Sequence, residues 1–278
     1  MPPFLTNAED ISLHLHYWPC ATPRGTVVLV HGLGEHGGRY QRTAAALNGW
    51  GWNVIAHDHR GHGRSSGARG RIDRDDALLS DLSLVIDAVR AQYTGRLVLL
   101  GHSMGGLIAS RFVAETLQPQ PATWSRDVDA LALSSPALAA DTSATQKLLL
   151  ATLRLLSPDF AIGNGLKPEW VSRDAAVVKA YITDPLVHDR ITPRLVRFIL
   201  DSGEMVRSLA PRWRTPTLLM WAGADRCVAP GGSAAFAAAA PADVVQAKSF
   251  DGLAHELFNE PEREQVMACL AEWIRRRP

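Results

Sequence analysis

At 278 residues the chain exceeds the commonest single-domain length, but α/β proteins often reach this size as one unit, so one domain with an insertion is expected. Its 46% hydrophobic and 21% charged residues describe an ordinary globular protein, and a formal net charge of +1 supplies no field for polyanions, so nucleic acid is excluded as a partner. The opening residues, Met1-Pro2-Pro3-Phe4-Leu5-Thr6-Asn7, lack the basic and then apolar regions of a signal peptide. No stretch reaches the roughly 18 uninterrupted apolar residues of a spanning helix. A cytoplasmic chain is therefore expected. Cys20, Cys227 and Cys269 are odd in number, far apart and without metal-site spacing, so reduced thiols are expected rather than disulfides.

In chain order, Ile11 to Trp18 reads as an antiparallel opening strand. The apolar runs Thr26 to Val30, Asn53 to His57, Leu97 to Leu100, Ala130 to Leu133, Thr217 to Trp221 and Val244 to Ser249 then read as further strands. Helical periodicity fills the gaps at Tyr40 to Leu47, Asp75 to Gln92, Gly105 to Leu117, Ser233 to Ala240 and Pro261 to Arg276. This alternation predicts a mostly parallel central sheet flanked by helices on both faces. Between Pro136 and Pro216 the rhythm breaks, and Ala144 to Leu156, Asp174 to Ile182 and Pro193 to Leu209 read as helices. The expected organisation is a core of residues 1–135 and 217–278 with an inserted helical cap or lid at 136–216.

The strongest chemical signal is Gly101-His102-Ser103-Met104-Gly105, a G-x-S-x-G placed directly after one apolar strand and directly before a helix. Such a turn holds the serine hydroxyl out from the C-terminal edge of a sheet. Its small residues are required because strand and helix approach too closely for larger side chains. A serine hydroxyl is a weak nucleophile near neutral pH, so a histidine must take its proton and a carboxylate must hold that histidine in the right tautomer. In the α/β-hydrolase fold the chain order is Ser, then Asp or Glu, then His, with the last two in loops after later strands. Asp225 follows the strand ending at Trp221, and His255 follows the final strand. Of ten histidines, only His255 occupies that loop; His14 and His16 alternate on an early strand, and His188 lies in the cap. Asp251 stands close to His255 along the chain, which disfavours it as the orienter, and Asp243 precedes the last strand, so Asp225 is preferred to both. The expected catalytic residues are Ser103, Asp225 and His255.

Attack on an ester creates an oxyanion that needs two preorganised N–H donors. The backbone of Met104, next to the nucleophile, supplies one; the loop His31-Gly32-Leu33-Gly34 supplies the other, with Leu33 as the donor. A third stretch, His57-Asp58-His59-Arg60-Gly61-His62-Gly63-Arg64-Ser65, gathers three histidines and an aspartate, which raises a metal site. Its glycines and charged groups also suit a tight, internally hydrogen-bonded loop that braces the site. A serine mechanism needs no metal or other cofactor, and none is expected.

These residues resemble the monoacylglycerol lipase and lysophospholipase family of α/β-hydrolases, also grouped with serine aminopeptidase-like hydrolases. The resemblance rests on HGLGEHGGRY from His31, HDHRGHGRSSG from His57, GHSMGG from Gly101 and AGADRCVAP from Ala222. Ser172-Arg173-Asp174 and Thr183-Asp184-Pro185-Leu186-Val187 extend it into the cap. It implies the α/β-hydrolase fold, a serine esterase acting on monoacylglycerol, and the same roles for Ser103, Asp225, His255, Leu33 and Met104. Leu33 departs from a common alanine, which implies a narrower acyl entrance with the donor intact. The stretch after Asp225 is shorter than in some animal members, so no glycerol-pocket role is given to Cys227, which reads as a small packed residue.

Leu148, Leu149, Leu150, Leu153, Leu155 and Leu156 form an apolar stripe that would either line an acyl tunnel and touch a lipid aggregate or be the buried face of a helix. The expected partner is a small-molecule lipid ester, with transient contact between the cap and a membrane surface left open and no obligate protein partner. Two alternatives keep the fold: a carboxylesterase, lysophospholipase or peptidase of other substrate range, and a non-catalytic binding module. An epoxide hydrolase or dehalogenase would need an aspartate where Ser103 stands.

Overall fold

The computed structural model describes residues 1–139 and 157–276. The expected helix Ala144 to Leu156, with its leucine stripe, lies outside the described residues. In chain order the described elements are β1 (Phe4–Thr6), β2 (Ser12–Trp18), β3 (Gly25–Val30), α1 (Gln41–Gly49), β4 (Asn53–His57), α2 (Ala77–Gln92), β5 (Arg96–His102) and α3 (Met104–Ala114). There follow β6 (Ala130–Ser134), β7 (Ile162–Gly163), α4 (Ala175–Thr183), β8 (Arg190–Ile191), α5 (Pro193–Leu209), β9 (Thr217–Ala222), α6 (Pro230–Ala239), β10 (Val245–Phe250) and α7 (Arg263–Arg276).

Eight strands make one sheet in the order β1-β2-β4-β3-β5-β6-β9-β10. β2 runs antiparallel to β1 and β4, and the remaining pairs are parallel. Because successive side chains on a strand face opposite ways, each central strand feeds two cores. In β3, Val27 and Leu29 enter one and Val28 and Val30 the other; in β5, Val98 and Leu100 separate from Leu97 and Leu99 in the same way. α2, α3, α5 and α6 cover one face of the sheet, while α1 and α7 cover the other. Such double burial explains why these strands read as unbroken apolar runs rather than alternating ones.

Elements between β6 and β9 differ in how they are held. β7 and β8 pair only with each other, outside the main sheet. α5 packs on α3 through Leu195, Phe198, Val206 and Leu209, all at least 95% buried. Each such side chain contributes about 1.5–3 kcal/mol, which fixes this helix to the core. α4 has no buried residue. Local signals set both boundaries: Asp174 accepts from Ala176 N–H at 2.8 Å as the cap of α4, and Pro193 opens α5 behind the Thr192 cap.

Several element ends differ from the sequence reading by a few residues, and two departures have a local cause. β1 is an extra edge strand of three residues, too short to carry its own pattern. α6 begins at Pro230, ahead of the expected Ser233, because proline is suited to the first helical turn. Gly232, which weakens that helix in the sequence, is required by packing: a Cβ there would lie 2.7 Å from Ala139 N. Among the described residues, no helix is long and apolar enough to cross a membrane.

Candidate active site

The loops after β3, β5, β9 and β10 meet at the C-terminal edge of the sheet. Ser103 forms the turn between β5 and α3, at φ 55° and ψ −123°. A non-glycine residue pays about 1–3 kcal/mol for such backbone, so the surrounding contacts must hold it. They do: Ser103 N–H donates to Ser134 O at 3.0 Å, and its carbonyl accepts from Leu107 and Ala137 N–H, each at 3.0 Å. The flanking glycines are there for clearance. A Cβ at Gly105 would lie 2.1 Å from Val30 O, and one at Gly101 would lie 2.6 Å from Gly105 O.

Asp225, after β9, and His255, after β10, complete a line to the serine. Asp225 Oδ2 accepts from His255 Nδ1 at 2.7 Å, and His255 Nε2 lies 2.8 Å from Ser103 Oγ. The other Asp225 oxygen accepts the backbone N–H groups of Cys227 and Val228 at 2.8 and 3.1 Å. Burial acts to raise the Asp225 pKa, but the facing His255 and these hydrogen bonds outweigh it and hold the carboxyl below its usual range. For His255 burial disfavours the charged ring; Asp225, then Glu256 and Glu35, outweigh it and raise its pKa. An ionised Asp225 makes Nδ1 the donor, so Nε2 is left to accept the serine proton. The neighbouring His102 ring, 4.7 Å from that of His255, is pushed down to about 4 by burial and by His255 itself. It stays neutral and donates from Nδ1 to Ser134 O at 3.0 Å.

Leu33 lies in the loop after β3. A Cβ on its neighbour Gly32 would stand 3.2 Å from Ser103 Cβ, so this backbone passes directly over the serine. Among the described residues, neither Leu33 N–H nor Met104 N–H donates to a tertiary backbone or side-chain acceptor. The loop is clamped from several sides. Gly32 N–H and the Tyr40 hydroxyl both donate to Glu35 Oε1 at 2.6 Å. His188, from the stretch between β6 and β9, donates its N–H to Gly34 O at 2.8 Å. Gly34, at φ 76°, admits no side chain there, since a Cβ would meet His188 O at 2.3 Å.

A buried ionic bridge then joins this loop to the one carrying His255. Arg39 Nη1 donates to Glu35 Oε2 and to Glu256 Oε1, both at 2.6 Å, and Nη2 donates to Glu256 Oε2 at 2.9 Å. The three side chains are 11%, 4% and 6% exposed. Burial opposes ionisation of Glu35, but Arg39, His102 and the hydrogen bonds from Tyr40 and Gly32 keep its carboxyl below the usual range. From α4, the Tyr181 ring lies over the Arg39 guanidinium at 4.9 Å.

Several hydrogen bonds hold the histidine-rich stretch after β4, although among the described residues neither ring nitrogen of His57 has a partner. His59 donates its backbone N–H to His31 Nε2 and its own Nε2–H to His31 O, both at 2.9 Å. Arg60 forms a buried fork with Asp81 at 2.7 and 2.8 Å. Burial pushes His57 down to about 4 and His59 to about 3, leaving both rings neutral. Among the described residues, His57, His59 and His62 do not converge as a set of metal ligands. Cys227 is half-buried; burial and the Asp225 charge push its thiol up, so it stays protonated and its backbone N–H is what reaches Asp225.

A family model described as Hydrolase_4, serine aminopeptidase S33, matches residues 21–262. The chain belongs to this family. It is 35% identical over 260 residues to a monoacylglycerol lipase of Mycolicibacterium smegmatis, covering 92% of this chain and 90% of that protein. It is 32% identical over 277 residues to an uncharacterized abhydrolase domain-containing protein of Dictyostelium discoideum, covering 98% of this chain and 29% of that longer protein. Among solved structures, the monoacylglycerol lipase of Paleococcus ferrophilus aligns with a TM-score of 0.81 at 36% identity, covering 94% of this chain and 98% of that one. As a member of the Hydrolase_4 family, the chain has the expected α/β-hydrolase fold and is an ester hydrolase.

The sequence reading did not single out Glu35, Arg39 and Glu256. Glu35 and Arg39 stand four apart, a spacing that signals an ion pair on one helical turn, but Glu256 lies 217 residues from Arg39. A charged residue directly after the histidine of the last loop was the available clue.

Proposed function

We propose that the chain hydrolyses a monoacylglycerol to a fatty acid and glycerol through an acyl-serine intermediate. The reading is carried by the line Asp225–His255–Ser103, at 2.7 and 2.8 Å, on a strained turn at the mouth of the sheet. The monoacylglycerol lipases among its relatives support the substrate class. Ser103 Oγ attacks the ester carbonyl while His255 Nε2 takes its proton. Asp225 holds the ring in the required tautomer and stabilises the imidazolium. The N–H groups of Leu33 and Met104 receive the oxyanion, each such donor being worth about 2.7–4 kcal/mol of barrier. His255 returns the proton to the departing glycerol oxygen. Water then attacks the acyl carbon as His255 Nε2 takes its proton, and His255 passes that proton to Ser103 Oγ as the fatty acid leaves.

In this reading residues 136–216 are the cap over the acyl site, and the partner is a small-molecule lipid ester. Phe160 and Ile182, 67% and 62% exposed, support transient contact of the cap with a lipid aggregate or membrane surface.

Fatty-acid release from monoacylglycerols of graded chain length, compared with p-nitrophenyl esters and with Ser103→Ala as control, tests the proposal. Rapid release from medium or long chains, abolished in the variant, supports it. Activity confined to short synthetic esters replaces the lipase with a carboxylesterase using the same site.

A further inference from the structure

β2 lies three strands from β5 in the sheet and takes no part in the chemistry of Ser103. Its His14 and His16, two residues apart, project from the same face of the strand. Asp58 follows β4, the neighbouring strand, and its N–H donates to His14 O at 2.9 Å, so backbone pairing sets the aspartate beside the two histidines. A ring nitrogen of each histidine and a carboxylate oxygen of Asp58 lie within 4.8 Å of one another.

One of these contacts has an ordinary explanation. His16 Nε2 and Asp58 Oδ1 stand 2.8 Å apart as a hydrogen-bonded pair. His14 differs: among the described residues its Nδ1 is buried with no hydrogen-bond partner, which leaves a ring nitrogen free for a ligand. The carboxylate is held as metal-binding carboxylates are, with Gly37 N–H on Oδ1 and Arg64 N–H on Oδ2, both at 2.8 Å.

We propose that His14, His16 and Asp58 bind a divalent transition-metal ion of the zinc class, with water in the fourth position. Two imidazole nitrogens and a carboxylate oxygen are a donor set that zinc takes in tetrahedral geometry, at about 2.0–2.2 Å from each. The ion takes the place of the hydrogen bond between His16 and Asp58: His16 binds as the neutral tautomer with its proton on Nδ1 and Nε2 turned to the ion, His14 binds through a free ring nitrogen, and nothing is oxidised or reduced. Because the ligands stand on β2 and directly after β4, the bound ion ties the antiparallel margin of the sheet to the loop that braces His31.

A second group on the molecule has a comparable donor set, Asp225, Cys227 and His255, and the test must separate the two. Chelator-treated full-length protein is titrated with Zn2+ by calorimetry, as wild type, His14→Gln, His16→Gln and Cys227→Ser, with circular dichroism confirming the fold of each. The proposal predicts one ion per chain, at least tenfold weaker binding in either histidine variant, and unchanged binding in Cys227→Ser. It is overturned if the wild type binds no Zn2+, if both histidine variants bind as well as the wild type, or if Cys227→Ser alone loses the ion, which places the metal beside Ser103. Should one histidine variant fail to fold, the other carries the comparison.

Discussion

Replacing Arg39 with methionine removes the cation between Glu35 and Glu256 while keeping most of the buried volume. Glu35 retains Gly32 N–H and the Tyr40 hydroxyl, but both fall on Oε1, so Oε2 loses Arg39 and has no other partner among the described residues. Among the described residues, the Glu256 carboxylate then keeps only Asn259 Nδ2, at 2.8 Å on Oε2. Removing one partner from a buried ion pair costs about 3–5 kcal/mol, because the charge left behind is desolvated without compensation. For a chain of this size each kcal/mol corresponds to about 2–4 °C, so the melting temperature should fall by about 6–20 °C. Calorimetry and urea unfolding measure this directly. The double variant Arg39→Met/Glu256→Gln, which neutralises one stranded carboxylate, should recover about 1 kcal/mol or more, as expected for side chains in one network. A loss below about 1 kcal/mol in the single variant would mean that water screens the bridge as it screens surface pairs. The claim that this bridge ties the Leu33 loop to the His255 loop would then fail.

The same carboxylates govern pH dependence. His255 must be neutral to act as base, and its pKa is raised, so kcat/KM should fall on the acid side with a midpoint above the ordinary histidine value of about 6.5. Glu256→Gln withdraws an anion that stabilises the imidazolium, so that midpoint should move to lower pH; a shift upward, or none, contradicts the assignment. Asp225→Asn should lower kcat by about a thousand- to ten-thousand-fold by favouring the wrong tautomer of His255, with KM for a p-nitrophenyl ester little changed. A variant within tenfold of wild type would remove Asp225 from its role. Gly105→Ala places a Cβ 2.1 Å from Val30 O and 2.3 Å from His31 O, both backbone atoms, and should cost at least about 2 kcal/mol in urea unfolding. Wild-type stability would mean that strand and helix have room to separate.

The central strands were legible because burial on both faces leaves unbroken apolar runs bounded by turns, and β4 spans Asn53–His57 in the sequence and in the structure alike. α5, with Thr192 as cap and Pro193 at its start, was legible from its ends inward. Ser103, Asp225 and His255 stood out because each directly follows a strand on the edge where the loops gather, so position separated them from the remaining serines, aspartates and histidines. β1 was hidden by its length, and the start of α6 by Gly231 and Gly232, of which Gly232 serves close packing against Ala139. What the sequence withheld is pairing over long separations. Nothing local tells that Arg39 meets Glu256, that His188 holds the Gly34 carbonyl, or that Asp58 lies beside His14 rather than among the histidines next to it in the chain.

Labelling of the folded protein with a fluorophosphonate, followed by peptide mass spectrometry, tests the central claim most directly. The account predicts a single adduct at Ser103, formed at a rate that collapses in His255→Ala. Label on another serine, or undiminished labelling of Ser103 without His255, would contradict it.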